Sequence, residues 1–190
     1  MIDTILFDFV GVLLFPKEKY DALFPVDEID ELIGAVTDDD VFKEKTLRAY
    51  NLLEHEFNVV LHAVVNKYEP FVPLWELLPM IRKRYKLGII NNGTYLTYPL
   101  FDARFHIGQR FDVFISSAVV GACKPNPAIY LQACASLCSQ PQNCLFMDDS
   151  EENILGAQKI GMQTLHWRSK ENAFQEFTTY LRIAGGIKTG

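Results

Sequence analysis

Short apolar runs alternate along this chain with longer segments in which apolar residues recur every three or four positions. Short runs bounded by turn-forming residues are typical of buried strands, whereas the wider spacing is typical of helices. Strands that alternate with helices indicate βαβ units and therefore an α/β fold with a parallel sheet. The predicted strands are 4–7, 86–90, 111–116, 144–147 and 162–167; the predicted helices are 74–85, 127–137, 151–160 and 171–184, and 95–109 is predicted as helix or loop.

A long insertion follows the first predicted strand. From Lys17 to about Pro79 the character is helical, with apolar residues at helical spacing over 52–65. The acidic residues 38–40 predict an N-cap for the helix that carries Phe42. Because the insertion interrupts the alternation directly after a strand, we expect it to form a cap over the edge of the sheet.

This pattern predicts a division of the chain into two parts. The core comprises residues 1–15 and 80–190, and the helical cap comprises residues 16–79. The glycine-containing tail, residues 185–190, is expected to be frayed.

Composition and charge narrow the class of protein. Hydrophobic residues make up 49% of the chain and charged residues 22%, which is ordinary for a globular protein. The net charge of −6 argues against nucleic acid as a partner. A site for phosphate would therefore have to be locally positive.

The amino terminus and the cysteines bear on location. Residues 1–8 have no positively charged segment and include acids within the apolar stretch, which favours a strand over a signal peptide. No apolar run approaches the roughly 18 residues of a membrane span. The four cysteines lie between positions 123 and 144 without the close pairs or histidines typical of metal sites, so we expect reduced, mostly buried thiols. These features predict a cytoplasmic protein without a membrane partner.

Polar residues suited to phosphate chemistry follow several of the apolar runs. Asp8 ends the first, Asn91 ends the second, and Asp148-Asp149 ends a later one, while Lys124 lies in a separate turn segment. Open parallel sheets place their ligands at the carboxyl ends of their strands. We therefore expect these residues to converge at one edge.

The acidic residues in this set suggest a metal site. Asp8 alone could attack an electrophile, bind a cation or cap local amides, and Asp148-Asp149 could simply cap a helix. Placed opposite one another, these carboxylates would repel each other unless a cation lay among them. A few oxygen ligands, completed by water and substrate phosphate, suit Mg²⁺.

The remaining residues suggest a phosphate site. Asn91, Asn92 and Gly93 precede a predicted helix or loop and could cradle an anion, although Asn-Gly is also a common turn. Lys124 could hold an anionic attacking group beside an anionic substrate.

The ordered set resembles a known family, the haloacid dehalogenase-like hydrolases with a helical cap of the first type. The matching stretches are ILFDFVGVL, LGIINNGT, GACKPNPAIY and LFMDDSEENILGAQKIGM. They span the core from end to end, and the last two are the specific ones. The resemblance implies a Rossmann-like three-layer core with a parallel sheet.

The resemblance also implies roles for individual residues. Asp8 matches the nucleophile, which forms an aspartyl-phosphate intermediate, and Lys124 matches the stabilising lysine. The implied ligands of Mg²⁺ are Asp8, the backbone carbonyl of Val10, Asp148 and Asp149. The resemblance implies that Asn91 contacts the transferred phosphoryl group, and the cradle inferred above adds Asn92 and Gly93, with Lys124, as predicted contacts to the substrate.

Two positions depart from the family pattern. The phosphatases of the family carry a second aspartate, the general acid and base, where this chain has Val10. Loss of a positioned acid typically removes ~10²–10⁴ in rate. Asn91 stands where a serine or threonine is usual, and its amide can still donate to a phosphoryl oxygen.

Three functions are consistent with this pattern. The first is a Mg²⁺-dependent phosphatase for a small phosphorylated metabolite with a good leaving group, with water or a cap residue such as His55 or His62 as proton source. The second is a metal-free 2-haloacid dehalogenase, which needs no acid because halide leaves unprotonated. The third is a phosphate-binding module with impaired catalysis. The acid pair at 148–149 favours the first.

Overall fold

The computed structural model describes residues 1–20 and 26–185. The strands in this part of the chain are β1 (Thr4–Phe7), β2 (Leu14–Pro16), β3 (Tyr68–Pro70), β4 (Lys86–Asn91), β5 (Val113–Ser116), β6 (Cys144–Asp148) and β7 (Gln163–His166). The α-helices are α1 (Val26–Ile33), α2 (Asp39–Ala49), α3 (Glu54–Asn66), α4 (Val72–Ile81), α5 (Tyr98–Phe105), α6 (Ile107–Arg110), α7 (Ser117–Val120), α8 (Pro127–Ser136), α9 (Glu151–Lys159) and α10 (Lys170–Gly185), with a 3₁₀ turn at Pro141–Asn143.

The predicted parallel sheet is confirmed. Five strands pair in the order β5-β4-β1-β6-β7, and every pairing is parallel. The chain therefore moves from β1 to β4 and β5 on one side and then crosses to β6 and β7 on the other. This reversal beside β1 is the kind of switch point at which parallel sheets open a crevice for ligands.

The central strand β1 is covered on both faces. Ile5 and Phe7 belong to one buried cluster and Leu6 belongs to the other, as the alternation of side chains along a strand requires. All three side chains are fully buried. A strand that is apolar throughout, rather than alternating, is typical of a parallel sheet with helices on both sides.

The insertion after β1 is mostly helical, as predicted, but not throughout. The helices α1, α2 and α3 lie between β2 and β3, which pair antiparallel as a separate two-stranded sheet. The prediction of helical structure was therefore wrong at Tyr68–Pro70, where the strand pairing with Leu14–Pro16 overrides the local pattern. The predicted N-cap is confirmed, because the side chain of Asp38 accepts a hydrogen bond from the N–H of Val41 at the start of α2.

The cysteines, the helices and the tail bear on three further expectations. The thiols are free, but only Cys134 and Cys144 of the four are buried. None of the helices in the described part combines the length and apolar character that crossing a membrane requires. Of the tail expected to be frayed, residues 186–190 lie outside the described residues.

Candidate active site

The candidate nucleophile Asp8 lies immediately beyond the central strand. Its N–H donates to the carbonyl of Met147 at 2.8 Å, which continues the ladder between β1 and β6 by one residue. The register pairs Phe7 with Ile89 on one side and with Met147 on the other. Past this level β4 continues to Asn91 and β6 to Asp148, so Asp8 lies at the carboxyl edge of the sheet as predicted.

Lys124 lies between two of the acids. Its Nζ donates to Oδ1 of Asp8 at 2.5 Å and to Oδ2 of Asp148 at 2.8 Å, and a third bond at 3.0 Å reaches the carbonyl of Ile90. The side chains of Lys124 and Asp148 are 2% and 0% exposed, and that of Asp8 is 10% exposed. The three donor positions of this ammonium group are thus all used inside the protein.

The main chain around Lys124 is fixed from two sides. The Asn92 side chain accepts from the Lys124 N–H at 2.7 Å and donates to the Lys124 carbonyl at 3.1 Å. On the other side, a Cβ on Gly156 would lie 2.6 Å from the Cβ of Pro125. Only glycine at that position allows α9 to approach the loop this closely.

The buried carboxylate of Asp148 has donors for both oxygens. Oδ1 accepts from the N–H of Ser150 at 2.8 Å and from Nδ2 of Asn153 at 3.0 Å, while Oδ2 accepts from Lys124. The first turn of α9 therefore supplies two of its three donors. Multiple donors to the ionised form are the usual condition for burying a carboxylate.

Asp149 completes an acidic group with Asp8 and Asp148. Each of the three offers a carboxylate oxygen, and these oxygens all lie within 4.8 Å of one another. Gly11 makes room for this arrangement, since a Cβ there would lie 2.5 Å from Oδ2 of Asp149. Its φ of +101° also favours glycine.

Burial and the neighbouring charges shift the pKa values of Asp8, Asp149 and Lys124. Burial raises the pKa of Asp8 to about 7; Asp148 and Asp149 also raise it, whereas Lys124 opposes the rise. Burial and the neighbouring Asp148 likewise raise the pKa of Asp149. For Lys124 burial acts in the lowering direction, but Asp8 and Asp148 outweigh it, so its pKa is raised. Three carboxylates facing one lysine leave an excess of negative charge, which favours binding of a cation.

Asp8 and Lys124 open onto a cavity of about 470 Å³, whereas Asp148 and Asp149 are not among its lining residues. Asp8, Val10, Asn91 and Lys124 all line it. In the described part of the chain, no loop or turn N–H donates to the carbonyl of Val10. That leaves the carbonyl available, and its role as a metal ligand stays a prediction.

The predicted phosphate cradle is only partly directed at this cavity. Asn92 lines it, but its side chain is occupied with the main chain of Lys124. Gly93 is not among the lining residues, and its N–H donates to Oγ of Ser117 at 2.8 Å. Asn91 is buried at the cavity wall and is the best placed of the three to contact a ligand. The assignment of all three to substrate binding stays a prediction.

Sequence reasoning missed the opposite wall of the cavity. It is formed by the insertion and contains three acids of α1, the buried Lys67 and the buried Tyr68. The acids are Asp27, Asp30 and Glu31. Their spacing of three and four residues was the available signal, because such residues share one helix face. His55 and His62, named above as alternative proton sources, are exposed on α3 and do not line this cavity.

Comparison with known proteins identifies a family. The sequence model of the haloacid dehalogenase-like hydrolases matches residues 2–161. A pyrophosphatase, PpaX of Bacillus mycoides (strain KBAB4), is 26% identical over 196 residues, covering 92% of this chain and 88% of the relative.

Solved structures agree with the fold. A HAD-like family hydrolase of Porphyromonas gingivalis has a TM-score of 0.74 at 22% identity, covering 96% of this chain and 98% of that one. A HAD family enzyme of Bacteroides thetaiotaomicron, solved in complex with magnesium and inorganic phosphate, has a TM-score of 0.69 at 16% identity, covering 87% and 94%.

Proposed function

We propose that this chain, which belongs to the haloacid dehalogenase-like hydrolases, is a Mg²⁺-dependent phosphatase that acts through an aspartyl-phosphate on Asp8. The observation that supports this best is the contact of Lys124 with both Asp8 and Asp148, beside a third acid. The substrate is a small phosphorylated metabolite.

The acids fit a hard divalent cation. Three carboxylate oxygens lie within 4.8 Å of one another, and Lys124 brings one positive charge against these three acids. Oxygen ligands of this type suit Mg²⁺. Asp8, Asp149, Asp148 and the carbonyl of Val10 would hold the ion. When bound, it would neutralise charge on the phosphoryl oxygens.

The chain's own residues account for the transfer itself. One Asp8 oxygen bonds to phosphorus, and the bond from phosphorus to the leaving-group oxygen breaks with its electron pair going to that oxygen. Lys124 fixes the carboxylate through its other oxygen and offsets charge near the phosphoryl group. Water then attacks phosphorus and the bond to Asp8 breaks, which restores the carboxylate. One water is consumed, giving phosphate and the protonated leaving group.

Val10 limits which substrates react well. It lines the cavity where the family's phosphatases carry an acid, and its side chain cannot protonate a departing oxygen. A leaving group of low basicity needs little protonation. We therefore propose a sugar 1-phosphate or an acyl phosphate in preference to an ordinary alkyl phosphate.

Val10 also favours a second candidate, a metal-free 2-haloacid dehalogenase, since halide leaves without a proton. The three carboxylates weigh against it. Burial raises the pKa of Asp8, and Asp148 and Asp149 raise it further, so without a cation a smaller fraction is ionised and nucleophilic.

Hydrolysis of an aryl phosphate with and without Mg²⁺ tests the proposal. We expect weak turnover that requires Mg²⁺ and is abolished in Asp8→Asn. We expect Val10→Asp to raise turnover of alkyl phosphates by ~10² because it restores the missing acid, while aryl phosphate changes little.

Binding provides a readout independent of turnover. Calorimetric titration with Mg²⁺ should show one site in the wild type and weaker binding in Asp149→Asn. Chloride release from a 2-haloacid without metal would instead identify the dehalogenase, and no turnover in any variant would identify the phosphate-binding module.

A further inference from the structure

The far wall of the cavity contains a second lysine between two aspartates. Nζ of Lys67 lies 2.7 Å from Oδ1 of Asp27 and 2.8 Å from Oδ2 of Asp30. Tyr68 donates its hydroxyl proton to Asp30, and Tyr20 donates to Asp27 at 2.5 Å. Lys67 thus forms ion pairs with two aspartates, although it lines the same cavity as Lys124.

The charge of this wall is negative. Three acids and one lysine of the insertion line the cavity, which gives a formal charge of −2 (one positive against three negative). Two of the three N–H groups of this ammonium are directed at Asp27 and Asp30, and its single positive charge is outweighed by the three acids. The only other lysine lining the cavity, within the described residues, is Lys124, which is bonded to Asp8 and Asp148.

The acids are oriented by the helix that bears them. Asp27, Asp30 and Glu31 lie three and four residues apart on α1, so they share one face. Glu28 lies on the same helix outside the cavity lining and accepts a 3.3 Å hydrogen bond from the hydroxyl of Tyr50. The negative wall is therefore a property of one face of α1.

We infer that this wall, centred on Lys67 and its aspartates, selects a leaving group that carries hydroxyl groups and excludes one that carries a second anionic group. The inference rests on the proposed function, because the leaving group is whatever lies between Asp8 and this wall. Carboxylates accept hydrogen bonds from hydroxyls, and like charges placed together cost several kcal/mol. The inference predicts that this chain differs in substrate from its relative named as a pyrophosphatase, because pyrophosphate has an anionic leaving group.

A matched pair of substrates tests this. Glucose 1-phosphate and glucuronic acid 1-phosphate share a ring and a reacting bond, and differ only at the end of the leaving group, where a carboxylate replaces a hydroxymethyl group. With Mg²⁺ present, we expect kcat/KM for the neutral sugar to exceed that for the acid by about tenfold or more, which corresponds to ~1.4 kcal/mol. Pyrophosphate should be a poorer substrate than glucose 1-phosphate.

Variants then assign the preference to the wall. Asp27→Asn with Glu31→Gln removes two negative charges and leaves Lys67 paired with Asp30. We expect this double variant to reduce the ratio to about threefold or less, mainly through KM for the acid. Glu28→Gln removes the same type of charge outside the cavity and should leave the ratio unchanged. Circular dichroism melts of the three proteins establish that each is folded.

The outcomes separate this inference from the proposed function. If the protein hydrolyses no phosphate ester and no pyrophosphate in the presence of Mg²⁺, both the proposed function and this inference are overturned. Turnover with equal or better use of glucuronic acid 1-phosphate or pyrophosphate would overturn the inference alone. A preference that survives in the double variant would likewise overturn the role of α1.

Discussion

Two lysines in this protein each lie between a pair of aspartates at opposite ends of one cavity, yet their surroundings differ. Around Lys124 the side chains are 0–10% exposed, whereas Lys67 is 11%, Asp30 16% and Asp27 64% exposed. The ion-pair distances are similar, at 2.5 and 2.8 Å for Lys124 and 2.7 and 2.8 Å for Lys67. The difference lies in access to water.

Access to water determines the direction in which the pKa of an aspartate shifts at each lysine. Burial raises the pKa of Asp8 to about 7 despite Lys124. The bond to Lys67, together with that to Tyr20, lowers the pKa of Asp27 below its usual value. The same pattern of residues therefore favours a metal ion at the buried end, while at the hydrated end it forms a stable negative surface.

The largest expected effect comes from removing each lysine in turn. Lys124→Met leaves two buried carboxylates without their cation, so we expect turnover to fall by ~10²–10³. The free energy of unfolding should fall by about 3–5 kcal/mol, measured by urea titration. Lys67→Met should lose less in both measurements because water reaches one of its partners, Asp27. Equal losses would contradict the contrast between the two ends.

The next effect concerns the packing of Asp149. In Gly11→Ala the new Cβ would lie 2.5 Å from the Asp149 carboxylate, so the carboxylate must move. We expect Mg²⁺ affinity to fall by about 10–100-fold in calorimetry. Gly121→Ala is the matched control: φ is also positive there, but no atom lies within 4 Å of the added Cβ. Similar weakening in the control would mean that backbone strain, not contact with Asp149, is responsible.

A smaller effect is expected from pH. The pKa of Asp8 rises from its ordinary 3.8 to about 7 on folding, so the folded state holds this proton more tightly. The resulting stability is fully present below about pH 4 and is lost as pH rises through about 7. The metal-free protein should therefore melt about 5 °C lower at pH 8 than at pH 5.

Asp8→Asn provides the control for this pH effect, since it should reduce that dependence to the part that comes from the raised pKa of Asp149 and leave the opposite, acid-side contribution of Asp27 in place. Added Mg²⁺ at pH 8 should restore the melting temperature in the wild type only. An unchanged slope in Asp8→Asn would show that another group titrates.

The smallest effect is expected for the cap histidines. His55→Gln and His62→Gln should leave turnover within about twofold, because both side chains are exposed and neither lines the cavity. A loss of tenfold or more in either variant, measured on an alkyl phosphate, would restore a cap histidine as proton source.

The sequence alone predicted much of the core and the components of its site. Apolar runs such as 4–7 and 144–147 are typical of the buried strands of a parallel sheet. A polar residue at the carboxyl end of such a strand lies at the edge of the sheet. That rule placed Asp8 beside Asp148 and Asp149 before any coordinates. It did not predict that Asn92 would hold the main chain of Lys124, or that Gly93 would donate to Ser117.

Only the tertiary structure decided what faces the site from the insertion. The short strand Tyr68–Pro70 forms because Leu14–Pro16 offers it a partner, and this pairing places Lys67 and Tyr68 at the cavity. Local periodicity reports which side of a helix is apolar, but not which neighbour that side meets. The edge of a sheet is specified by residues close in sequence to each strand, whereas the opposing wall depends on how distant segments pack, which no local pattern encodes.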